Sequence, residues 1–122
     1  MKEIKHIFEP NPLACGQAVI AMISNIDVIK IIELAGTDRE TTLSDMKTLL
    51  SHFGYVLSET RRQAQSIADL PDIALLSLET PKCWHWSLYV SGKVYDPEYG
   101  VLDDFPVSNR KYYWEIKSAG TV

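Results

Sequence analysis

The spacing of apolar residues changes character halfway along the chain, and this change restricts the fold more than any other feature. In the first half, apolar side chains recur at intervals of three and four residues, which is typical of helices packed on a core. In the second half, short apolar runs and strict alternation indicate β-strands. Helices are predicted over residues 15–24, 26–35 and 43–53, the last capped by Thr42. Strands are predicted over residues 55–57, 73–79, 84–90, 93–97 and 111–117. This order predicts an α+β domain with its N-terminal helices packed on one side of a small antiparallel sheet.

Length and charge narrow the class of protein further. A chain of 122 residues favours one domain over residues 1–122. The net charge of −4 argues against nucleic acid or an anionic membrane as partner, because both select basic surfaces. The N-terminal segment MKEIKHIFEP lacks the apolar core of a signal peptide. We therefore expect a cytoplasmic protein, while the oligomeric state stays open.

The cysteines point to thiol chemistry, and the sequence predicts no metal and no cofactor. Cys15 and Cys83 are too few for the usual structural zinc site, and a reducing compartment disfavours a disulfide between them. The histidines His6, His52 and His85 show no ligand spacing. Cys83 is interpreted as a packing residue, and a second nucleophile is the alternative. His6 and His52 have no companions and receive no role.

Cys15 occupies a position that favours a nucleophile. It follows Pro12 and opens the first predicted helix, where unpaired N–H groups and the helix dipole stabilise negative charge. A thiol placed there is expected to have a lowered pKa, and the thiolate is the form that attacks. The competing interpretation is a small buried residue, because free cysteines are often buried and inert.

A predicted hairpin brings a histidine and an aspartate together. If Ser91 and Gly92 form a two-residue turn, the pairing of the two strands places Asp96 opposite Ser87. Ser87 shares a strand face with His85, so Asp96 becomes a diagonal neighbour of His85, within hydrogen-bond reach. The competing interpretation of Asp96 is a turn aspartate before a proline.

Aromatic residues surround this histidine strand and have two interpretations. They are expected to be core residues, since aromatic residues in strands usually are, or to form the floor of a peptide groove. These residues are Trp84, Trp86, Tyr89 and Tyr95.

The order Cys, His, Asp is the papain-like order, and three segments carry a closer resemblance. ACGQAVIAMI (14–23), TLSDMKTLLSHFGY (42–55) and HWSLYVSGKVYDPEYG (85–100) resemble the papain-like cysteine peptidases that cleave double-glycine leaders in bacteriocin exporters, and their free-standing relatives. The resemblance implies a papain-like fold and a peptide or protein substrate. It further implies Cys15 as nucleophile, His85 as general base and then acid, and Asp96 as the group that orients the imidazole. The implied reaction is hydrolysis of a peptide bond through a thioester.

The sequence departs from this family at the oxyanion position. The family usually carries a glutamine six residues before the cysteine, where this chain has Glu9. An ionised carboxylate only accepts hydrogen bonds and repels an oxyanion. Three outcomes stay open: the backbone N–H of Cys15 suffices together with Asn11 or Gln17, a buried Glu9 is protonated, or the chain is a weak or inactive peptidase-like binding module. A deamidase or acyltransferase would use the same residues.

Overall fold

The structure, a computed structural model, describes residues 3 to 119. Its helices are α1 (Cys15–Ser24), α2 (Val28–Ala35) and α3 (Leu43–His52), followed by a short 3-10 helix at Ile67–Asp69. Its strands are β1 (Tyr55–Leu57), β2 (Arg62–Gln63), β3 (Ile73–Glu79), β4 (Trp84–Val90), β5 (Lys93–Asp96), β6 (Gly100–Leu102) and β7 (Lys111–Ser118). Within the described residues all seven strands join one sheet of order β1-β7-β3-β4-β5-β6, with β2 also paired to β7, and every pairing is antiparallel. The predicted α+β class is confirmed.

Two apolar clusters hold the layers together. The larger one lies between the helices and the sheet, where α1 side chains such as Ile20 and Ile23 meet Leu75, Leu88 and Trp114. The smaller one lies on the opposite face of the sheet and is built around Leu76, Leu78 and Tyr89. This division follows from the alternation of strand residues, which sends neighbours to opposite faces. α1 is buried along nearly its whole length, so the element that begins with Cys15 is the central helix of the domain.

The helix starts follow local capping chemistry. Thr42 and Asp45 form the predicted capping box, with Thr42 Oγ1 accepting from Asp45 N at 3.1 Å and Asp45 Oδ2 accepting from Thr42 N at 2.9 Å. The second helix begins at Val28, two residues later than predicted. The reason is that Asp27 acts as its cap and accepts a hydrogen bond from Ile29 N at 2.9 Å.

The hairpin between β4 and β5 has the predicted register. Val90 pairs with Lys93 and Leu88 with Tyr95, so the two residues between them, Ser91 and Gly92, form the turn. Both turn residues have positive φ, 45° and 95°, as a two-residue turn matched to the strand twist requires. The register that places Asp96 diagonally beside His85 is therefore present.

Two short strands lie between the longer elements. Residues 59–66 contain β2, and Gly100–Leu102 forms β6, which pairs with β5. Thr41, in the loop before α3, is buried. The single domain over 1–122 stays a prediction, because its two ends lie outside the described residues. Within residues 3–119, no helix has the length and apolarity needed to cross a membrane.

Candidate active site

Cys15 is the first residue of α1 and only 8% exposed. Its Sγ accepts a hydrogen bond of 3.4 Å from the backbone N–H of Trp86, the residue that follows His85 in β4. The N-cap residue of α1 is Ala14, and among residues 3–119 no side chain caps this helix. The backbone N–H groups at its start are therefore not used by a capping side chain, and the N–H of Gly16 lowers the pKa of the Cys15 thiol.

Gly16 lets the start of α1 approach the sheet closely. A Cβ atom at this position would lie 2.1 Å from Thr41 Oγ1, closer than such atoms can come, and 3.1 Å from Trp86 Cδ1, which is a tight contact. Trp86 is itself fixed here, since its Nε1 donates to the carbonyl oxygen of Thr41 at 3.0 Å. The absent side chain thus brings the sulfur of Cys15 to the strand that carries His85.

Burial determines the protonation state of Cys15. It raises the pKa of the thiol to about 11, and the hydrogen bond from Trp86 N–H lowers that pKa only in part. A negative charge on Glu9 raises it further. The lowered pKa expected from the helix start is therefore not found, because desolvation outweighs it. The resting thiol is neutral at neutral pH.

His85 and Asp96 form the pair that the hairpin predicts. Asp96 is fully buried, and its Oδ2 lies 2.9 Å from His85 Nε2. The same oxygen accepts from Ser87 Oγ at 2.8 Å. The other carboxylate oxygen, Oδ1, accepts from the backbone N–H groups of Glu98 and Tyr99 at 2.9 and 3.0 Å. Four donors thus fix the carboxylate, and the carboxylate fixes the imidazole.

The electrostatics of the pair favour an ionised Asp96 that is hydrogen-bonded to a proton on His85 Nε2. Burial alone would lower the pKa of His85, but the hydrogen bond and charge of Asp96 outweigh burial and raise it above its usual value. Burial alone would raise the pKa of Asp96, but the hydrogen bond and charge of His85 and two backbone N–H groups lower it. Asp96 is therefore ionised at neutral pH, and it accepts the Nε2 proton of His85. The Nδ1 atom is left as the basic nitrogen.

A second carboxylate beside His85 was missed by the sequence analysis. Glu98 Oε1 lies 3.7 Å from His85 Nδ1, and Glu98 Oε2 is paired with Lys82 Nζ at 2.8 Å. One sequence feature could have indicated the approach of Glu98 to His85: Glu98 lies two residues beyond Asp96, in the turn that leads to β6. Ser87, placed opposite Asp96 by the predicted register, was also not assigned the hydrogen bond that it donates.

Cys15 and His85 line one cavity of about 410 Å³. One wall comes from the loop before α3, with Glu40 and Thr41, and the other from the sheet, with Trp84 and Trp86. Trp84 is 45% exposed and stacks on Tyr112. The cavity therefore combines a thiol, an imidazole and an aromatic wall in one recess.

The residues proposed as oxyanion donors differ in what they can still donate. Gln17 is fully buried, and its Nε2 already donates to the carbonyl oxygens of Thr37 and Arg39 at 2.8 and 2.9 Å, so it has no hydrogen left for an oxyanion. Asn11 Nδ2 donates one hydrogen to Asp38 O at 3.1 Å, and within residues 3–119 no hydrogen bond uses the other.

Glu9, at the family's oxyanion position, is half-buried, and its charge acts on Cys15 and His85. Burial raises its pKa to about 7, and the positive charge of His85 lowers that pKa only in part. Glu9 is therefore partly protonated at neutral pH.

Other expectations about single residues need correction. Cys83 is exposed and lines the cavity, so it is not a core packing residue. Its thiol and that of Cys15 are both free. His6 does have a companion, because its Nε2 lies 2.7 Å from the carbonyl oxygen of Asp96. Of the aromatic residues, Tyr89 is buried as expected, whereas Trp84 is exposed beside the cavity.

Metal ligands do not cluster in the part of the chain that the structure describes. Among residues 3–119, no group of three or more His, Cys, Asp or Glu side chains has a metal-binding arrangement.

The fold has a counterpart among solved structures. The peptidase domain of ComA from Streptococcus, a bifunctional ABC transporter involved in a quorum-sensing pathway, superposes with a TM-score of 0.63. The match covers 98% of this chain and 100% of that domain at 16% identity. No protein-family model matches the sequence, and no curated protein matches it either. The chain therefore has the papain-like α+β fold of a peptidase domain, and the resemblance seen in the sequence is confirmed at the level of the fold.

Proposed function

We propose that this protein is a cysteine hydrolase that cleaves a peptide bond through a thioester, with Cys15 as nucleophile. The observation that carries the proposal is the buried His85–Asp96 pair, whose imidazole lines the same cavity as a thiol at the start of a helix. The shared fold with a domain named as a peptidase supports a peptide or protein as the substrate.

The resting protonation states favour a general-base mechanism over a preformed ion pair. The Cys15 thiol is neutral because burial raises its pKa, and Asp96 holds the Nε2 proton of His85. As Sγ attacks the substrate carbonyl carbon, its proton moves to Nδ1 of His85. The S–C bond forms, and the π electrons of the carbonyl move to its oxygen. Asp96 stabilises the imidazolium that results.

The second half of the reaction reverses these proton transfers. The C–N bond breaks as His85 Nδ1 gives its proton to the leaving amine, and the oxyanion collapses to a thioester on Cys15. A water molecule then attacks the thioester carbon and gives a proton to His85. The C–S bond breaks, the carboxylic acid leaves, and the sulfur recovers its proton from His85.

The test compares the two cysteines of one molecule. An activated ester, p-nitrophenyl acetate, would acylate Cys15 faster than the exposed Cys83, although Cys15 is the more buried thiol. Peptide mapping by mass spectrometry measures both adducts in the same sample. His85→Ala should slow acylation of Cys15 by about a hundredfold or more, since a positioned base contributes that much. The rate at Cys83 serves as the internal reference.

One observation favours a rival, a peptide-binding module without catalysis. Cys15 is 8% exposed and its pKa is raised to about 11, as is typical of an inert thiol. The same experiment separates the two. If Cys15 is acylated no faster than Cys83, and His85→Ala changes nothing, the hydrolase is refuted and the binding module is favoured.

A further inference from the structure

The cavity that holds the candidate nucleophile has a carboxylate on one wall. Glu40, in the loop before α3, lines this cavity of about 410 Å³ together with Cys15 and His85. Its side chain is exposed, and within residues 3–119 it forms no ion pair. The negative charge of Glu40 therefore faces the space that a substrate of Cys15 would enter.

The backbone on both sides of Glu40 is held in place. The carbonyl oxygen of Arg39 accepts a hydrogen bond of 2.9 Å from Gln17 Nε2, and Gln17 is fully buried on α1. The carbonyl oxygen of Thr41 accepts a hydrogen bond of 3.0 Å from Trp86 Nε1 on β4. These two bonds tie the loop to the helix that begins with the thiol and to the strand that carries the imidazole. Glu40 is therefore positioned in advance at the wall of the cavity, which favours binding because less ordering is needed.

Glu40 gives the cavity a preference for positive charge. Among the described residues that line it, the other acidic groups are the two thiols. Burial raises the pKa of Cys15 to about 11 and also raises the pKa of Cys83, so both are neutral at neutral pH. Glu40 thus supplies the negative charge of the lining. A recess partly closed to water weakens such a charge less than open solvent does, so a cation bound there gains more than it would at the surface.

The wall opposite Glu40 suits a long basic side chain. Trp84 and Trp86 line it, and indole rings pack against methylene groups and attract cations. The same end of the sheet already holds one such cation, since the guanidinium carbon of Arg110 lies 5.2 Å above the Trp84 ring. Arg110 is paired with both carboxylate oxygens of Glu79 at 3.0 and 3.2 Å, so its charge is matched and does not repel a second cation.

The geometry of β4 indicates which part of a substrate meets Glu40. Trp84 and Trp86 point to one face of the strand and His85 to the other, because neighbouring strand residues alternate. In the proposed reaction the leaving amine takes its proton from His85 Nδ1, so it departs toward His85. The acyl group stays on the sulfur and lies along the wall of indoles. The side chain that reaches Glu40 therefore belongs to the residue whose carbonyl carbon is attacked.

We propose that Glu40 determines specificity and selects substrates in which the residue that acylates Cys15 is lysine or arginine, a role that rests on the hydrolase function proposed above. The carboxylate of Glu40 accepts a charge-assisted hydrogen bond from the ammonium or guanidinium group. The methylene groups of the same side chain pack on the indoles of Trp84 and Trp86. Glu40 takes no part in the proton transfers, which remain with Cys15 and His85.

The test compares two esters that differ in one charge. The p-nitrophenyl ester of N-acetyl-lysine carries an ammonium group, and the ester of N-acetyl-norleucine has the same unbranched carbon chain without it. Cys15 is acylated as its S–C bond forms and p-nitrophenolate leaves, and peptide mapping assigns the adduct. Rates with N-acetylcysteine correct for the intrinsic reactivity of each ester. We expect wild type to prefer the lysine ester by about tenfold to a hundredfold, as a hydrogen bond to a charged group contributes. Equal corrected rates would overturn the proposal.

Three variants separate a direct contact from an indirect effect. In Glu40→Gln the preference for the lysine ester should fall to the value measured with the free thiol. In Glu40→Lys it should pass to the ester of N-acetyl-glutamate, because the charge of the wall is reversed. Glu33→Gln removes an exposed carboxylate from α2, outside the cavity lining, and is the matched control that should keep the wild-type preference. A preference unchanged in Glu40→Gln would contradict the contact.

A second measurement probes the charge of the cavity without general-base catalysis. Aminoethyl and sulfonatoethyl methanethiosulfonate each form a mixed disulfide with a thiol and release methanesulfinate, and they carry opposite charges. The ratio of their rates at Cys15 should fall by about threefold or more in Glu40→Gln. An unchanged ratio would overturn the role of Glu40. If neither ester acylates Cys15 although this ratio falls, the hydrolase is refuted, and the substrate preference with it. Acylation by both esters without any preference refutes the role of Glu40 alone.

Discussion

Replacing Asp96 with asparagine should invert the tautomer of His85. Asp96 Oδ1 accepts from two backbone N–H groups, those of Glu98 and Tyr99, which cannot become acceptors. The Oδ2 side meets Ser87 Oγ and His85 Nε2, both of which can accept a hydrogen bond. The amide NH₂ of the asparagine therefore faces His85.

The orientation of the asparagine side chain, and with it the size of the expected effect on rate, follows from these hydrogen-bond partners. Placing the amide nitrogen on the Oδ1 side would set it against two buried N–H groups, at a cost of about 1–3 kcal/mol for each. The opposite orientation leaves His85 Nε2 as an acceptor and its proton on Nδ1. Nδ1 is then no longer available to take the proton of Cys15. We expect the acylation rate of Cys15 to fall by about 10³–10⁴, as the wrong tautomer costs in comparable triads. The free energy of unfolding should fall by only about 1–2 kcal/mol, because all four contacts persist.

Stopped-flow acylation and urea unfolding measure these two effects separately. ¹⁵N NMR of the His85 ring reports the tautomer directly. Ser87→Ala is the control, since it removes one hydrogen bond to Asp96 and leaves the tautomer unchanged; we expect a loss below about tenfold in rate. An Asp96→Asn protein that acylates within about tenfold of wild type, or whose Nε2 retains its proton, would refute the reasoning.

Three further predictions concern stability and reactivity. Burial of Glu9 raises its pKa from 4.5 to about 7, so the folded protein holds this proton more tightly than the unfolded chain, and stability falls as pH rises between those values. The full pKa shift corresponds to about 3 kcal/mol of unfolding free energy, which partial exposure of the carboxyl reduces. Glu9→Gln should therefore stabilise the protein by about 1–2 kcal/mol at about pH 8 and hardly at all below about pH 4.5. Equal gains at both pH values in urea unfolding would contradict this prediction. Gly16→Ala should lower the free energy of unfolding by about 1–3 kcal/mol, because the new Cβ meets Thr41 Oγ1. Much of that loss should disappear in a Thr41→Ala background. If the effects of the two substitutions simply add, the contact is not the cause. Alkylation of Cys15 by iodoacetamide should keep rising with pH well beyond neutrality, since burial raises the pKa of its thiol to about 11, and a plateau below about pH 8 would show a preformed ion pair instead.

The sequence predicted the parts of the site that depend on neighbours in the chain. The helix that begins at Cys15, the Thr42–Asp45 capping box and the register that brings Asp96 beside His85 all follow from short-range rules of spacing, capping and turn geometry. These rules hold because each concerns residues a few positions apart, or two strands joined by a turn whose length is fixed.

What the sequence did not predict depends on segments that are distant in the chain. The approach of Glu98 to His85 involves a turn whose path the hairpin register does not define. Exposure of Cys83 could not be read from its position next to an apolar strand. The loss of Gln17 as a donor results from two carbonyl groups of the loop after α2.

The amino-acid sequence by itself determined the α+β order of elements and supplied Cys15, His85 and Asp96 as the candidate thiol, imidazole and carboxylate. Only the tertiary structure decided their chemical state. The raised pKa of Cys15 and the pKa of about 7 at Glu9 are consequences of desolvation, which depends on which atoms from other elements cover a group. Local patterns specify which side chains are present and on which helix or strand each one lies. The removal of water around those side chains is a property of the packed domain as a whole.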